Sequence, residues 1–287
     1  MFNLYNNIKK DPLHFKQLSC GEILIAKYDC PLEKDFEDTW SHHNYIVYVM
    51  EGRKIWHTSH GSYDLTKDSC VLIRKGASIV EQFFDTRFCL IAFFLPDDFI
   101  CDVLRSRKKP INKPGKRFDP VIPIDNNESV QSFFHSMMPY FGAPHEPDQS
   151  LLELKFRELV LTIADNHKNT ELLSYFCSLL QEPQAVTLQR VMEDNFSFNL
   201  KLEEFARLSN RSLSAFKRDF QKQLNTTPGK WLMEKRLTHA MHLISNQKKT
   251  VTEASFEAGF ENPSHFSRSF RKHFGIAPAS VKQQISN

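Results

Sequence analysis

Three sets of residues in this 287-residue chain have types and spacings that could do chemistry. Arg218 and Lys222 recur fifty positions later as Arg268 and Lys272; such periodic cations suit an anionic partner, against the plain alternative of a solvated helix face. His42 and His43 are the residue type of a metal site, but neighbours on a strand point to opposite faces and cannot chelate as an H-x-H pair does. His57 or His60 could supplement one of them, yet the pair reads as polar surface histidines, and no metal or other cofactor is expected. Cys20, Cys30, Cys70, Cys89, Cys101 and Cys177 are irregularly spaced, with no C-x-x-C pair. That argues against a disulfide framework or structural zinc and leaves reduced thiols, mostly in the core.

The cations belong to an internal repeat. LSAFKRDFQKQLNTTP (Leu213–Pro228) aligns without gaps on PSHFSRSFRKHFGIAP (Pro263–Pro278), matching Phe216 to Phe266, Phe220 to Phe270 and Pro228 to Pro278. Upstream, KLEEFA (Lys201–Ala206) aligns with TVTEAS (Thr250–Ser255) at an offset of forty-nine. Each copy reads as short helix, turn and longer helix: a helix-turn-helix. Thr250 and Glu253 form a capping box, Gly259 permits the tight turn, and Asn262 caps the next helix with Pro263 at its first position. In the first copy Ser212 is the cap and Asn210 suits a left-handed turn. Each Phe pair is four residues apart, on one helical face, and belongs to the core. Between the copies, KWLMEKRLTHAMHLIS (Lys230–Ser245) carries Leu237, Ala240, Met241 and Ile244 on one face. About sixteen residues span roughly 24 Å. Such a helix can hold two recognition helices near successive major-groove faces ~34 Å apart, with DNA bending if the span is short.

The rest of the chain follows other periods. From about Phe15 to Leu95, short runs such as ILIAKY (Ile23–Tyr28), YIVYVM (Tyr45–Met50), CVLIR (Cys70–Arg74) and FCLIAFFL (Phe88–Leu95) predict an antiparallel sandwich or barrel. Arg105 to Pro123, with Pro110, Pro114, Pro120 and Pro123, reads as a connector. Three amphipathic helices follow, around Val130–Phe141, Leu152–Ile163 and Leu172–Leu180, whose apolar faces serve either an internal core or a face that pairs two chains. Pro183 marks the next boundary.

Composition is that of a globular protein, with 41% hydrophobic and 25% charged residues, which excludes a wholly disordered chain. The N-terminus lacks the apolar core of a signal peptide, and the longest apolar run, Phe88–Leu95, is far short of the ~20 residues of a membrane span. A cytoplasmic protein without a membrane partner is expected. The formal charge of +3 conceals a division: residues 187–287 carry 16 Lys+Arg against 9 Asp+Glu, and residues 1–186 carry 21 against 25.

ASFEAGFENPSHFSRSFRKHFGIAP (Ala254–Pro278) and RLTHAMHLI (Arg236–Ile244) resemble the signature and linker helix of the AraC/XylS transcription regulators. The resemblance implies a module of two helix-turn-helices, each placing its second helix in the major groove of promoter DNA. Carried over by position, Ser214, Lys217 and Arg218 on the first recognition helix, and Ser264, His265 and Arg268 on the second, face base edges. Lys222, Arg271 and Lys272 fall to phosphates. Lys201 at a cap position usually Ser or Thr, Ala254 in place of a larger aliphatic, and Asn225 opposite Gly275 depart from the family pattern.

WSHHNYIVYVMEGR (Trp40–Arg53) is similar to a segment of the cupin-like sensor and dimerisation domain of that family. The implied fold is α+β in two domains: a cupin-like antiparallel β-barrel with appended helices, then an all-α domain of two helix-turn-helices joined by a linker helix. The expected division is a β sensor domain with its Pro-rich connector at 1–122, a helical dimerisation region at 123–182, and a DNA-binding domain at 187–287. Within the last, the motifs lie at about 200–224 and 250–274 around a linker helix at about 229–245. Trp40, Tyr45, Tyr48, Trp56 and Phe93 are candidates to line a pocket for a small apolar or sugar-like effector, with a protein effector as the alternative. The expected function is a homodimeric, sequence-specific regulator, an activator touching RNA polymerase, and not an enzyme. The competing readings are a cupin-type metalloenzyme with a DNA-binding appendage and a non-specific architectural protein.

Overall fold

The central strands of the N-terminal part explain why its sequence reads as unbroken apolar runs. The computed structural model describes residues 1–28, 35–83, 87–111, 118–143, 145–181 and 187–285; Cys30, Pro114 and Pro183 fall outside them. The chain divides into two compact units, Met1–Ala185 and Val186–Asn287.

The first unit holds two sheets. One runs β1 (Phe2–Asn3), β4 (Phe36–Ser41), β9 (Gly76–Gln82), β6 (Arg53–Thr58), β7 (Gly61–Thr66); the other runs β11 (Val121–Pro123), β8 (Cys70–Ile73), β5 (Asn44–Glu51), β10 (Cys89–Leu95), β3 (Ile23–Tyr28), β2 (Lys16–Cys20). All pairings are antiparallel except β1 with β4. Side chains of the second sheet alternate between two cores. Leu24, Val47, Val71, Ala92 and Phe94 enter a core shared with Trp56, Leu65 and Val80 of the first sheet. Ile25, Ile46, Tyr48, Leu72, Ile91 and Phe93 face the other way, into a core built with helices. A strand buried on both faces has no solvent side to carry polar residues, so its sequence cannot alternate.

Those helices are α2 (Asp97–Arg105), α3 (Glu128–Met137), α4 (Gln149–Asp165) and α5 (Thr170–Gln181). Val130, Phe133, Phe134, Phe156, Leu159, Leu172 and Phe176 fill the core at their predicted spacing. Sheet and helices thus share one interior. Two helices of this unit lie where none was predicted: α1 (Leu4–Lys10), capped by the Asn3 side chain, and α2, whose buried Ile100, Val103 and Leu104 follow directly on the apolar β10. The Arg105–Pro123 stretch ends in β11, an edge strand, where Pro123 needs no ladder donor. Cys70, Cys89, Cys101 and Cys177 are buried free thiols and Cys20 is half-buried.

The second unit is helical: α6 (Thr187–Asn195), α7 (Leu202–Leu208), α8 (Leu213–Leu224), α9 (Pro228–Asn246), α10 (Val251–Glu257), α11 (Pro263–Phe274) and α12 (Pro278–Ile285). Phe216, Phe220, Phe266 and Phe270 are fully buried. The latter two pack with Leu237, Ala240 and Ile244 of α9.

Phe93 carries the shared sheet and helix core, since its ring meets Phe133, Phe134 and Phe156 at centroid separations of 5.6, 5.6 and 5.9 Å. Phe93→Ala is expected to cost about 3–5 kcal/mol. Denaturant unfolding of the first unit checks this; a loss under about 1 kcal/mol would contradict the packing.

Candidate nucleic-acid interface

A recognition surface needs helices whose start, end and exposed face are all fixed. The Ser212 hydroxyl accepts the Ala215 N–H at 3.3 Å and starts α8. Asn262 Oδ1 accepts the N–H groups of Ser264 and His265 at 2.8 and 3.1 Å and starts α11, with Pro263 at its first position. Both helices end on left-handed residues, Asn225 (φ 52°) and Gly275 (φ 77°), so the departure at Asn225 changes the residue and not the conformation. The preceding turns also use left-handed residues, Asn210 (φ 54°) and Gly259 (φ 87°). Thr250 and Glu253 exchange both bonds of a capping box, at 3.1 and 2.7 Å. At Lys201 only the Glu204 carboxylate takes part, accepting the Lys201 N–H at 2.7 Å, because an ammonium has no lone pair to return.

With the phenylalanines inside, the opposite faces of α8 and α11 are outward. Ser214, Lys217, Arg218 and Lys222 are exposed on the first, and Ser264, His265, Arg268, Arg271 and Lys272 on the second. The two central arginines differ in their surroundings. Arg218 Nε lies 3.1 Å from Asp219, which also binds Arg211 at 3.2 Å; hydrogen bonding from Arg218, then from Arg211, holds the Asp219 carboxyl below the usual range. In the second copy the position after the arginine is Ser269, and Arg268 Nε lies 3.4 Å from the Ser264 carbonyl of its own helix.

The sequence reading missed Arg236 on α9. Its Nε and Nη2 donate to the carbonyls of Phe196 and Phe198 at 2.7 and 2.6 Å. Burial pushes the guanidinium down to about 10, with Glu261 acting in the opposite direction. Nothing in its spacing separates Arg236 from its neighbour Lys235. The only hint lay in Gly259, where a Cβ would come within 2.7 Å of the Ser197 carbonyl.

In the first unit, Tyr45 and Trp56 line a cavity of about 60 Å³ between the sheets, together with Phe15, Val47, Val80 and the helix α1 residue Ile8. Sites for whole metabolites span roughly 300–1,000 Å³, so the walls as they stand leave room for a small fragment only. Burial pushes the Tyr45 phenol up to about 12, against opposing hydrogen bonds with Trp56 and Ser78. Trp40, Tyr48 and Phe93 do not line the cavity. Alternation turns Tyr48 and Phe93 to the helix side, where Tyr48 stacks on Phe134 at 4.4 Å, and Trp40 packs towards His42 at 6.1 Å.

The histidine reading is corrected. His42 and His43 occupy the bend between β4 and β5, where strand alternation does not apply; both are buried, with ring centroids 4.1 Å apart and both edge-on to Tyr5. His57 is held by Glu81 and Ser62, each at 2.7 Å. Among the described residues no group of three or more His, Cys, Asp or Glu is placed to hold a metal ion, and no helix is long and apolar enough to cross a membrane.

Comparison with known proteins bears on both units. The family described as the ExsA N-terminal regulatory domain matches residues 44–175, and a helix-turn-helix domain family matches residues 205–284. The chain is similar to the virulence regulon transcriptional activator VirF of Yersinia enterocolitica, at 25% identity over 264 residues covering 91% of this chain and 96% of VirF. It is also similar to the HTH-type transcriptional regulator ExsA of Pseudomonas aeruginosa, at 30% identity over 139 residues covering 48% and 50% of the two chains. Among solved structures, ToxT from Vibrio cholerae aligns over 92% of this chain and 99% of its own, with 11% identity and a TM-score of 0.40. From its repeated helix-turn-helix unit and the regulatory domain that precedes it, the chain belongs to the AraC/XylS family of DNA-binding transcription regulators.

Proposed function

We propose that the chain reads two adjacent major-groove segments of a promoter with α8 and α11 and activates transcription from them through RNA polymerase. The observation that carries this reading is the pair of matching helices, each capped at its start, anchored by two buried phenylalanines and presenting a cationic outer face. Ser214, Lys217 and Arg218, and Ser264, His265 and Arg268, meet base edges; Lys222, Arg271 and Lys272 meet phosphates. The role is regulatory, a reading supported by the likeness of both units to transcription regulators.

The partner copy docks on α4. Leu151, Leu154 and Leu161 are exposed at 40%, 64% and 37%, spaced as one stripe along the helix, with the Arg157–Glu153 pair beside it. A stripe of this kind suits a two-fold pairing of cytoplasmic chains. An effector that enters between the sheets displaces α1, because Leu4, Asn7 and Ile8 of that helix form one wall of the cavity.

Arg268→Ala is expected to weaken binding to a selected site by ~1–3 kcal/mol and leave binding to random duplex nearly unchanged. Arg218→Ala costs less than this, because Arg218 gives up its Asp219 contact on reaching DNA. Titration of the full-length variants against both duplexes decides; an equal loss on every sequence would make Arg268 a phosphate contact. Leu154→Glu is expected to convert a dimer to a monomer in sedimentation equilibrium, and an unchanged mass would remove α4 from the interface.

A further inference from the structure

The two helix-turn-helices are joined by α9, and a single long helix leaves both ends able to pivot. The structure adds a second connection. The segment between α6 and α7, which leads into the first motif, lies against the turn of the second. Arg236 on α9 binds the Phe196 and Phe198 carbonyls from below, at 2.7 and 2.6 Å. Gly259, in the turn of the second motif, approaches so closely that any side chain would strike the Ser197 carbonyl. At the rim, the Asn199 amide donates to the Glu261 carboxylate, and the His239 ring stands edge-on to Phe196 at 5.2 Å. Contacts from α9 and from the second motif therefore close on four consecutive residues of the first motif's leader.

We infer that this clasp, centred on Arg236, makes the two motifs one rigid reading head and so sets the base-pair spacing between the two DNA elements that the chain accepts. Arg236 is a positioning residue: it lies on the linker helix, its donors are committed to backbone carbonyls, and it acts on DNA through the helices that it holds. A planar guanidinium can bind two carbonyls at once in a fixed direction, which a lysine ammonium cannot reproduce. A second point of attachment removes the pivot that one helix leaves. One inserted base pair shifts the second element by about 3.4 Å and rotates it by roughly 35°. A pivoting pair could follow that change, whereas a clasped pair cannot.

This inference rests on the DNA-reading function proposed above, and its test separates the two. The full-length chain, Arg236→Lys and Asn199→Ala are titrated against a tightly bound selected duplex and against the same duplex with one or two base pairs inserted between its elements. The parent chain is expected to lose about tenfold or more in affinity for each insertion. Arg236→Lys is expected to bind the uninserted duplex about tenfold more weakly and to lose only a few-fold further on insertion. Asn199→Ala, a change at the exposed rim that spares the core, moves the same way to a smaller degree. Identical insertion profiles for all three proteins overturn the clasp. A DNA-free readout runs beside this one: exchange of the Phe198 and Leu200 amides, bonded to the Asn195 and Phe198 carbonyls at 3.1 and 2.9 Å, is expected to quicken about tenfold in Arg236→Lys. Unchanged exchange overturns the clasp even if no duplex is bound, and that last result by itself counts against the DNA reading.

Discussion

A strand buried on both faces has no side chain to spare for solvent, and β5, β8 and β10 are in that position. The constraint decides most of the first unit. One face must find a second sheet and the other a layer of helices, so α2 to α5 are part of the same interior as the strands and not a separate appendage. It also divides the aromatic residues by parity: Tyr45 and Phe94 enter the space between the sheets, and Tyr48 and Phe93 the space under the helices. What remains between the sheets is a small cavity that α1 walls on one side.

In the second unit the sequence was legible because each feature is local. A cap needs a side-chain acceptor two or three residues before the N–H it satisfies, and Ser212, Thr250 and Asn262 stand at that distance. Left-handed turns need Gly or Asn, and Gly259 and Asn210 are there. The phenylalanine pairs fall four apart and are buried. Contacts across long separations were not legible: Arg236 meets carbonyls about forty residues earlier, which no periodicity signals. The histidine pair fails for another reason. Opposite faces follow only on a strand, and His42 and His43 sit where the strand has stopped. Of the five aromatic residues suggested for a pocket, Tyr45 and Trp56 line one, because an apolar run buried on both sides gives no sign of which parity faces which core.

The two recognition helices share a scaffold but not an electrostatic setting. Asp219 pairs with Arg218 on α8 and with Arg211 in the turn before it, while the matching position on α11 is Ser269. The two outer faces are therefore not electrostatic copies of one another, although their helices start, end and pack alike.

Gly259 and Asn210 stand at matching turns of the two helix-turn-helix copies, both left-handed. Asn210 carries a side chain in that conformation, whereas at Gly259 a Cβ would lie 2.7 Å from the Ser197 carbonyl. The two copies are thus not interchangeable at this turn. An asparagine transplanted from the first turn into position 259 would drive its Cβ into a backbone carbonyl, where only a hydrogen fits. One backbone contact is enough to make two motifs of the same outline demand different residues.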